Sequence, residues 1–211
     1  MPPLNAVSSG ILAALLLLGG GVGATPGNPS RDAGSWRSDP VRWLMEPAEL
    51  RSWRNLQAAE DSENFLLDFW DRRDPDPEAQ GNASLDLFEQ RSAQADALFD
   101  GEGQRGILTS RGRAYLLIGP PSSFRQSYRR APALGAVEAG RGRSATTGPM
   151  LVETWSWRPE DLSAGLRRHL EKQGWKLSLE VRFKVDHGRY TLLQGEDLLR
   201  LAARSWVRDE R

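Results

Sequence analysis

The sequence predicts an α+β domain, with N-terminal helices followed by a mostly antiparallel four-strand sheet that has an inserted helix and a C-terminal helix. Two patterns support this fold class. Apolar residues recur at helical spacing before Gly101, whereas between Trp175 and Val185 they alternate with polar residues, as in a strand with one buried face. A hydrophobic content of 39% and eight tryptophans supply enough apolar surface for a folded core.

Three helices are predicted before Gly101, from start and stop signals at their ends. Pro47 suits an initial helical position, and the proline after Asp74 prevents a helix from continuing. The predicted spans are Pro47 to about Gln57, Asp61 or Ser62 to about Asp74, and Ser84 to Phe99. The second helix carries an apolar stripe typical of a core face, formed by Phe65, Leu66, Phe69 and Trp70.

Strands and two further helices are predicted after Gly112. An inserted helix opens at Pro159, and a closing helix covers Glu196 to Val207. The glycine in Asp186-His187-Gly188 indicates a hairpin turn. The predicted strands are Arg113 to Ile118, Leu151 to Trp157, Trp175 to Val185, and Tyr190 to Leu193.

Composition excludes several classes of site. The chain has no cysteine, and its two histidines, His169 and His187, cannot form a histidine-rich metal site. We therefore expect no metal and no cofactor. With 28 basic and 28 acidic residues, the chain has no net charge, which argues against a nucleic-acid-binding domain.

The N-terminus has the pattern of an export signal. Aliphatic residues run without interruption from Ile11 to Leu18, and small residues at 22–24 suit a signal peptidase. The aliphatic run is too short for a permanent membrane span. We therefore predict a signal peptide at 1–24, a disordered leader at 25–40 and a single domain at 41–211, exported to the bacterial periplasm or beyond.

An arginine-rich segment at 122–149 is predicted to be a flexible insertion. Its candidate anion-binding residues are Arg125, Arg129, Arg130, Arg141 and Arg143. One interpretation is a solvated insertion, and another is a loop that contacts an acidic partner or, weakly, an anionic membrane surface. Few aromatic residues stand among these arginines, so we expect no nucleic-acid partner.

The letters G-x-G-x-x-G occur at 101–106, but a dinucleotide site requires them to follow a strand and open a helix. Here a predicted helix precedes them and a predicted strand follows. We therefore interpret these glycines as a loop.

Three carboxylates are catalytic candidates if the protein is an enzyme: Glu153, Asp74 and Asp76. Strand alternation places Glu153 on the same side as Trp155, and a pair of acids can act as acid and base. The alternative is that Glu153 pairs with an arginine across the sheet. We likewise expect Arg72, Arg73 and Asp74 to connect the second helix to the turn at 109–111. No Ser/His/Asp set is recognisable.

A series of motifs, taken in order, resembles the GWxTD domain of exported bacterial proteins. These motifs are F-W-x-R-R-D-P-x-P from Phe69, Asn82, the 94–99 helix end, T-x-R-G-R from Thr109, G-P-P from Gly119, and a weaker echo around Trp155. The positions that carry the resemblance are Phe69, Trp70, Arg72, Arg73, Asp74, Pro75, Gly106, Thr109, Gly112, Arg113, Gly119, Pro120, Pro121 and Trp155.

This sequence departs from the motif that gives the family its name. Ile107 stands in place of the tryptophan, Ser110 in place of the aspartate, and Ser122 in place of the acid that often follows G-P-P. If the replaced residues formed a site, this chain has lost part of it. If they are structural, Ile107 fills an apolar space and Ser110 caps or holds a turn.

The resemblance implies export and a fold but no reaction. Our functional hypothesis is a non-catalytic protein-interaction module of the bacterial cell envelope, with an envelope or secreted protein as its partner. The alternative is a carboxylate-based hydrolase or lyase that acts on an envelope polymer.

Overall fold

The computed structural model describes residues 40–56, 59–130 and 149–207. Within these ranges it has six α-helices and one antiparallel sheet of four strands, which confirms the predicted α+β class. The predicted signal peptide and most of the predicted leader lie outside the described residues. The helices are α1 Pro47–Asn55, α2 Ala59–Asp71, α3 Ala83–Phe99, α4 Ser110–Ile118, α5 Ala164–Lys172 and α6 Glu196–Arg204. The strands are β1 Ser123–Arg130, β2 Pro149–Ser156, β3 Glu180–Asp186 and β4 Arg189–Gln194.

The predicted strand at Arg113 to Ile118 is wrong, because this segment belongs to helix α4. Thr109 caps the helix: its Oγ1 accepts a hydrogen bond from the amide of Gly112 at 2.9 Å. Every residue from Ala114 to Ile118 is buried. A helix that is enclosed on all sides shows no polar face, so its apolar run cannot be distinguished from a buried strand by periodicity.

The first strand of the sheet comes instead from the segment predicted to be a flexible insertion. Residues Ser123–Arg130 form β1, which pairs antiparallel with β2. The remainder of that insertion, at 131–148, lies outside the described residues.

The third predicted strand begins later than its alternating pattern indicated. β3 starts at Glu180, and the loop before it contains Trp175 with a positive φ of 55°. A left-handed backbone at a tryptophan is incompatible with a strand, so the strand cannot begin at Trp175 as predicted.

The sheet has the order β1-β2-β3-β4, which leaves β1 and β4 as its edges among the described strands. Its register places Glu153 and Trp155 of β2 on one face, opposite Gln126 and Phe124 of β1. Buried Val181 and Phe183 of β3 share this face, which packs against α4 and α6. The hydrophobic core therefore lies between the sheet and the helices.

Side-chain hydrogen bonds connect α2 to α3. Asn82 accepts from the amides of Ser84 and Leu85 at the start of α3, and its amide nitrogen donates to the carbonyl of Trp70 at 2.9 Å. The hydroxyl of Ser84 donates to the carbonyl of Arg73 at 2.7 Å. These bonds fix the turn that follows α2.

Candidate functional site

Two buried glutamates and one arginine form a cluster beside the helix-covered face of the sheet. Arg111 donates from Nε to Glu102 Oε1 at 2.8 Å, and its Nη1 lies 3.7 Å from Glu153 Oε1. Glu102 also accepts from the backbone amide of Tyr190 at 3.0 Å. The cluster thus joins the turn after α3 to α4, β2 and β4.

Both oxygens of Glu153 are engaged. Gln126 Nε2 donates to Oε2 and Trp155 Nε1 donates to Oε1, each at 2.8 Å. The residue is only 4% exposed. The alternative interpretation of the sequence expected Glu153 to pair with an arginine across the sheet. Glu153 does lie beside an arginine, but this residue, Arg111, belongs to helix α4.

Arg111 is enclosed between two aromatic rings. Its guanidinium carbon lies 3.4 Å from the ring centroid of Tyr190 and 4.7 Å from that of Phe99. Burial raises the pKa of the Tyr190 phenol, the charge of Glu153 raises it further, and Arg111 opposes both effects. The geometry therefore favours a closed ionic contact that stabilises the fold over an open catalytic centre.

The other two catalytic candidates lie elsewhere. Asp74 accepts from the backbone amide of Asp76 at 3.1 Å in the turn after α2, and it makes a further interaction in the chain. Asp76 lines a cavity formed by the α2–α3 turn, α3, α5 and the residues after α6. Glu153 contacts Gln126, Trp155 and Arg111, and none of these three residues is among those described as lining the cavity.

Arg72 and Arg73 connect α2 to α1, not to the turn at 109–111, so that expectation is wrong. Arg73 is completely buried and donates to Glu49 at 2.7 Å and to the carbonyl of Leu44 at 2.9 Å. Its guanidinium carbon also lies 3.6 Å from the ring centroid of Phe69. Arg72 donates to the other oxygen of Glu49 at 3.0 Å.

These arginines determine the titration of Glu49. Burial alone would raise its pKa, but hydrogen bonds from Arg73, the backbone of Glu46 and Arg72 outweigh burial, so its pKa is lowered. The sequence offered no signal for Glu49 as the partner, since it lies 24 residues from Arg73 and on another helix.

The remaining motif positions have structural contacts. Arg113 forms a bidentate pair with Glu196 of α6, at 2.8 and 2.9 Å. Trp70 packs against Phe88, with ring centroids 5.2 Å apart. Gly119, followed by Pro120 and Pro121, ends α4, and its carbonyl accepts from Trp157 Nε1 at 3.2 Å.

Gly106 and the two positions that depart from the family motif pack against neighbouring elements. Gly106 lies against the backbone of Ala95 in α3. Ile107 is fully buried, and its amide donates to Asp96 at 2.9 Å. Ser110 begins α4, and its hydroxyl accepts from the amide of Leu192 in β4 at 3.3 Å. Helix α3 comes directly before the glycine-rich letters at 101–106, as predicted, but helix α4 and not the predicted strand follows them.

Three of the five candidate anion-binding arginines fall on β1. Arg125 lies 3.4 Å from Glu180, and Arg129 is exposed with no acidic partner in the described part of the chain. Arg130 is the last residue of the strand, while Arg141 and Arg143 lie outside the described residues. Phe124 and Tyr128 lie on the side of β1 opposite Arg125 and Arg129, and their side chains are 56% and 74% exposed.

Within the described ranges, no helix combines the length and apolar character needed to cross a membrane. The same ranges contain no group of three or more acidic or histidine side chains arranged to hold a metal ion. In comparisons with known proteins, no family model, no curated protein and no solved structure matches this chain.

Proposed function

We propose that this chain is a non-catalytic protein-interaction module of the bacterial cell envelope, with a GWxTD-like domain, and that strand β1 is its contact surface. The observation that carries this proposal is the exposure of two large aromatic side chains, Phe124 and Tyr128, on a strand that is an edge of the sheet among the described strands. Exposed aromatic residues are typical of protein contact sites, and an edge strand can accept a strand from a partner.

The charge of β1 indicates the chemistry of the partner. The strand contains Arg125, Arg129 and Arg130 and no acidic residue. Arg129 is exposed and has no ionic partner among the described residues. We therefore propose that the partner contributes an extended acidic segment with apolar residues that pack on Phe124 and Tyr128.

The proposed location rests on the sequence. The aliphatic run from Ile11 to Leu18 and the small residues at 22–24 support export, as does the resemblance of the motifs between Phe69 and Pro121 to exported proteins. A direct test expresses the full chain in a bacterium and determines its compartment and its N-terminal sequence. We expect a periplasmic or secreted chain that begins at Thr25, and a cytoplasmic chain retaining Met1 would contradict export.

The hydrolase or lyase alternative receives no support from these contacts. Glu153 accepts hydrogen bonds on both oxygens and lies beside Arg111, and Asp74 and Asp76 belong to a different part of the fold. A glycosidase needs two carboxyl groups about 5 to 9.5 Å apart on either side of the scissile bond, and the contacts of Glu153, Asp74 and Asp76 do not favour such a pair.

The contact surface is tested by placing a photo-crosslinking benzoylphenylalanine at Tyr128, with the same residue at Leu67 as a control. Leu67 is 65% exposed on α2 and distant in sequence from β1. With a bacterial envelope extract, we expect one discrete adduct from position 128 that position 67 does not give. Identical adducts from both positions, or none from position 128, would contradict the proposal.

A charge-reversal pair extends this test. Arg129→Glu places a negative charge on β1, on the face opposite the crosslinker, whereas Arg167→Glu makes the same change on the exposed face of α5. We expect Arg129→Glu to reduce the adduct several-fold, because an acidic partner is then repelled, and Arg167→Glu to leave it unchanged.

A further inference from the structure

A cavity of about 1030 Å³ opens between the α2–α3 turn, helix α3, the start of α5 and the residues after α6. Its lining combines apolar side chains with arginines. The apolar part includes Pro75, Leu87 and Trp206, and the basic part consists of Arg73, Arg91 and Arg168. Asp76 is the one acidic residue among the lining residues that the structure describes.

Arg91 is a largely enclosed cation that has no acidic partner among the described residues. Its Nη1 donates to the carbonyl of Leu116 at 2.8 Å, and its guanidinium carbon lies 5.7 Å from the centroid of the Trp206 ring. No carboxylate of the described chain lies within ion-pair distance. Burial lowers the pKa of Arg91 to about 10, so the side chain remains charged at neutral pH.

The guanidinium of Arg91 retains unused donors. A guanidinium carries five N–H groups, and Arg91 makes one hydrogen bond to the described chain. Its Nε and Nη2 make no hydrogen bond to the described chain and are not completely sealed from solvent. Arg73, by contrast, is completely buried, and its Nε has no hydrogen-bond partner.

The start of helix α5 faces the same cavity. Ser163 caps the helix, because its hydroxyl oxygen accepts a hydrogen bond from the amide of Leu166 at 3.2 Å. Ala164 and Gly165 also line the cavity. Their backbone amides belong to the first turn, where no carbonyl of the same helix can accept a hydrogen bond from them. Unpaired amides at this end attract anions. Arg168 follows one turn later and also lines the cavity.

We propose that this cavity binds an organic phosphate monoester. The phosphate lies between the guanidinium of Arg91 and the first amides of α5, because both groups can donate hydrogen bonds to phosphate oxygens. The apolar wall of Leu87, Pro75 and Trp206 holds the carbon portion. The site is separate from β1, so it goes beyond the proposed function and does not depend on it.

The site is tested on the full chain with phenyl phosphate as the probe, benzyl alcohol as the uncharged control, and inorganic phosphate as the control without an apolar part. Calorimetric titration gives the affinity, and thermal unfolding gives an independent measure through the rise in Tm. We expect phenyl phosphate to bind and to raise Tm. We expect inorganic phosphate to bind at least about tenfold more weakly, and benzyl alcohol to have no effect.

Substitution of Ala164 provides a variant that should still fold. Ala164→Glu puts a carboxylate at the exposed first position of α5, where a negative charge favours the helix, and the new charge repels a phosphate in the cavity. Ala97→Glu makes the same change at an exposed site on α3 outside the cavity. We expect Ala164→Glu to weaken phenyl phosphate at least about tenfold, and Ala97→Glu to leave its affinity unchanged.

A second matched pair uses neighbouring arginines of α5. Arg168 lines the cavity and Arg167 does not, so Arg168→Gln should weaken binding and Arg167→Gln should not. Long-chain phosphatidate in phosphatidylcholine vesicles, tested beside phenyl phosphate, distinguishes two sources of the phosphate: binding to these vesicles supports a lipid headgroup, and binding to phenyl phosphate alone supports a soluble ligand. Absence of phenyl phosphate binding, equal affinity for inorganic phosphate, or unchanged affinity in Ala164→Glu would overturn the proposal.

Discussion

Gly106 and Gly112 touch backbone to backbone, where the turn before α4 meets the first residues of that helix. A Cβ added to Gly112 would overlap with the carbonyl oxygen of Gly106 and lie 2.8 Å from the Cα of Ile107. Gly106 is in turn pressed against Ala95 of α3, where a Cβ would lie 2.8 Å from the Cα of Asp96. These contacts allow α3 and α4 to approach closely.

Gly112→Ala is therefore expected to reduce the free energy of unfolding by at least about 2 kcal/mol, because the methyl group forces backbone segments apart. Urea unfolding monitored by tryptophan fluorescence measures the change. Gly101→Ala is the control, since a Cβ there meets nothing within 4 Å. We expect it to change the free energy of unfolding by less than about 0.5 kcal/mol. Equal effects of both substitutions would contradict the close packing.

The cluster of Arg111 with Glu102 and Glu153 predicts an asymmetry between its members. Arg111→Gln leaves two buried carboxylates without their cation and should cost about 3 kcal/mol. Glu153→Gln retains the shorter Arg111–Glu102 pair and should cost about 1 kcal/mol. Chemical unfolding of the two variants compares these costs. A larger loss of unfolding free energy in Glu153→Gln than in Arg111→Gln would contradict this asymmetry.

Glu49 predicts a loss of stability in acid. Because its folded-state pKa is lowered below the ordinary value of 4.5, it contributes stability that is fully present above pH 4.5 and is lost as the pH falls through the folded-state pKa. At pH 7, Glu49→Gln should cost about 3 kcal/mol, since it leaves the buried cation of Arg73 uncompensated.

The difference in unfolding free energy between the natural chain and Glu49→Gln should then shrink as the pH is lowered below 4.5. Urea unfolding at a series of pH values measures it. Asp197→Asn is the control, because Asp197 belongs to an exposed pair with Arg200 and should change stability by less than about 1 kcal/mol. A difference that stays constant down to pH 3 would refute the assigned role of Glu49.

Tyr190 predicts the opposite dependence in alkali. Its folded-state pKa is raised above the ordinary value of 10.0, so the folded protein disfavours the phenolate. The contribution of Tyr190 to stability is therefore complete below pH 10 and decreases as the pH rises above that value. Tyr190→Phe should lose less stability between pH 9 and pH 11 than the natural chain does. Parallel unfolding curves for both proteins across this interval would exclude the effect.

Local signals in the sequence were enough to predict the fold class, and the ends of the longer helices were readable from them. The helix predicted from Ser84 to Phe99 corresponds to α3, Ala83–Phe99, and the predicted turn at Asp186-His187-Gly188 separates β3 from β4. These signals act over a few residues, so they do not depend on the rest of the fold.

Helix α4 and strand β1 could not be predicted in the same way. The enclosed helix has no polar face, and β1 is an edge strand whose two aromatic residues point to solvent, so neither element shows the expected alternation of buried and exposed residues. The cap at Thr109 was not recognised in the sequence, and the apolar run that follows it also suits a strand.

The partners of the charged residues were likewise hidden. Glu49 lies on a different helix from Arg73, and Glu102 reaches Tyr190 across 88 positions. Such pairs depend on the tertiary arrangement, and a single sequence provides no means of matching them. Glu153 was recognised as a residue of interest because alternation placed it beside Trp155, but Gln126 and Arg111 as its neighbours were not.

The C-terminal end of α4 is closed by side chains from distant parts of the chain. Arg91 donates to the carbonyl of Leu116, Trp206 to that of Leu117, and Trp157 to that of Gly119. A ribosome-bound chain that has not yet produced Trp206 cannot complete this set, however much of the core it contains. The set is therefore complete only in a chain that contains Trp206, and a chain truncated before that residue leaves the carbonyl of Leu117 without this donor.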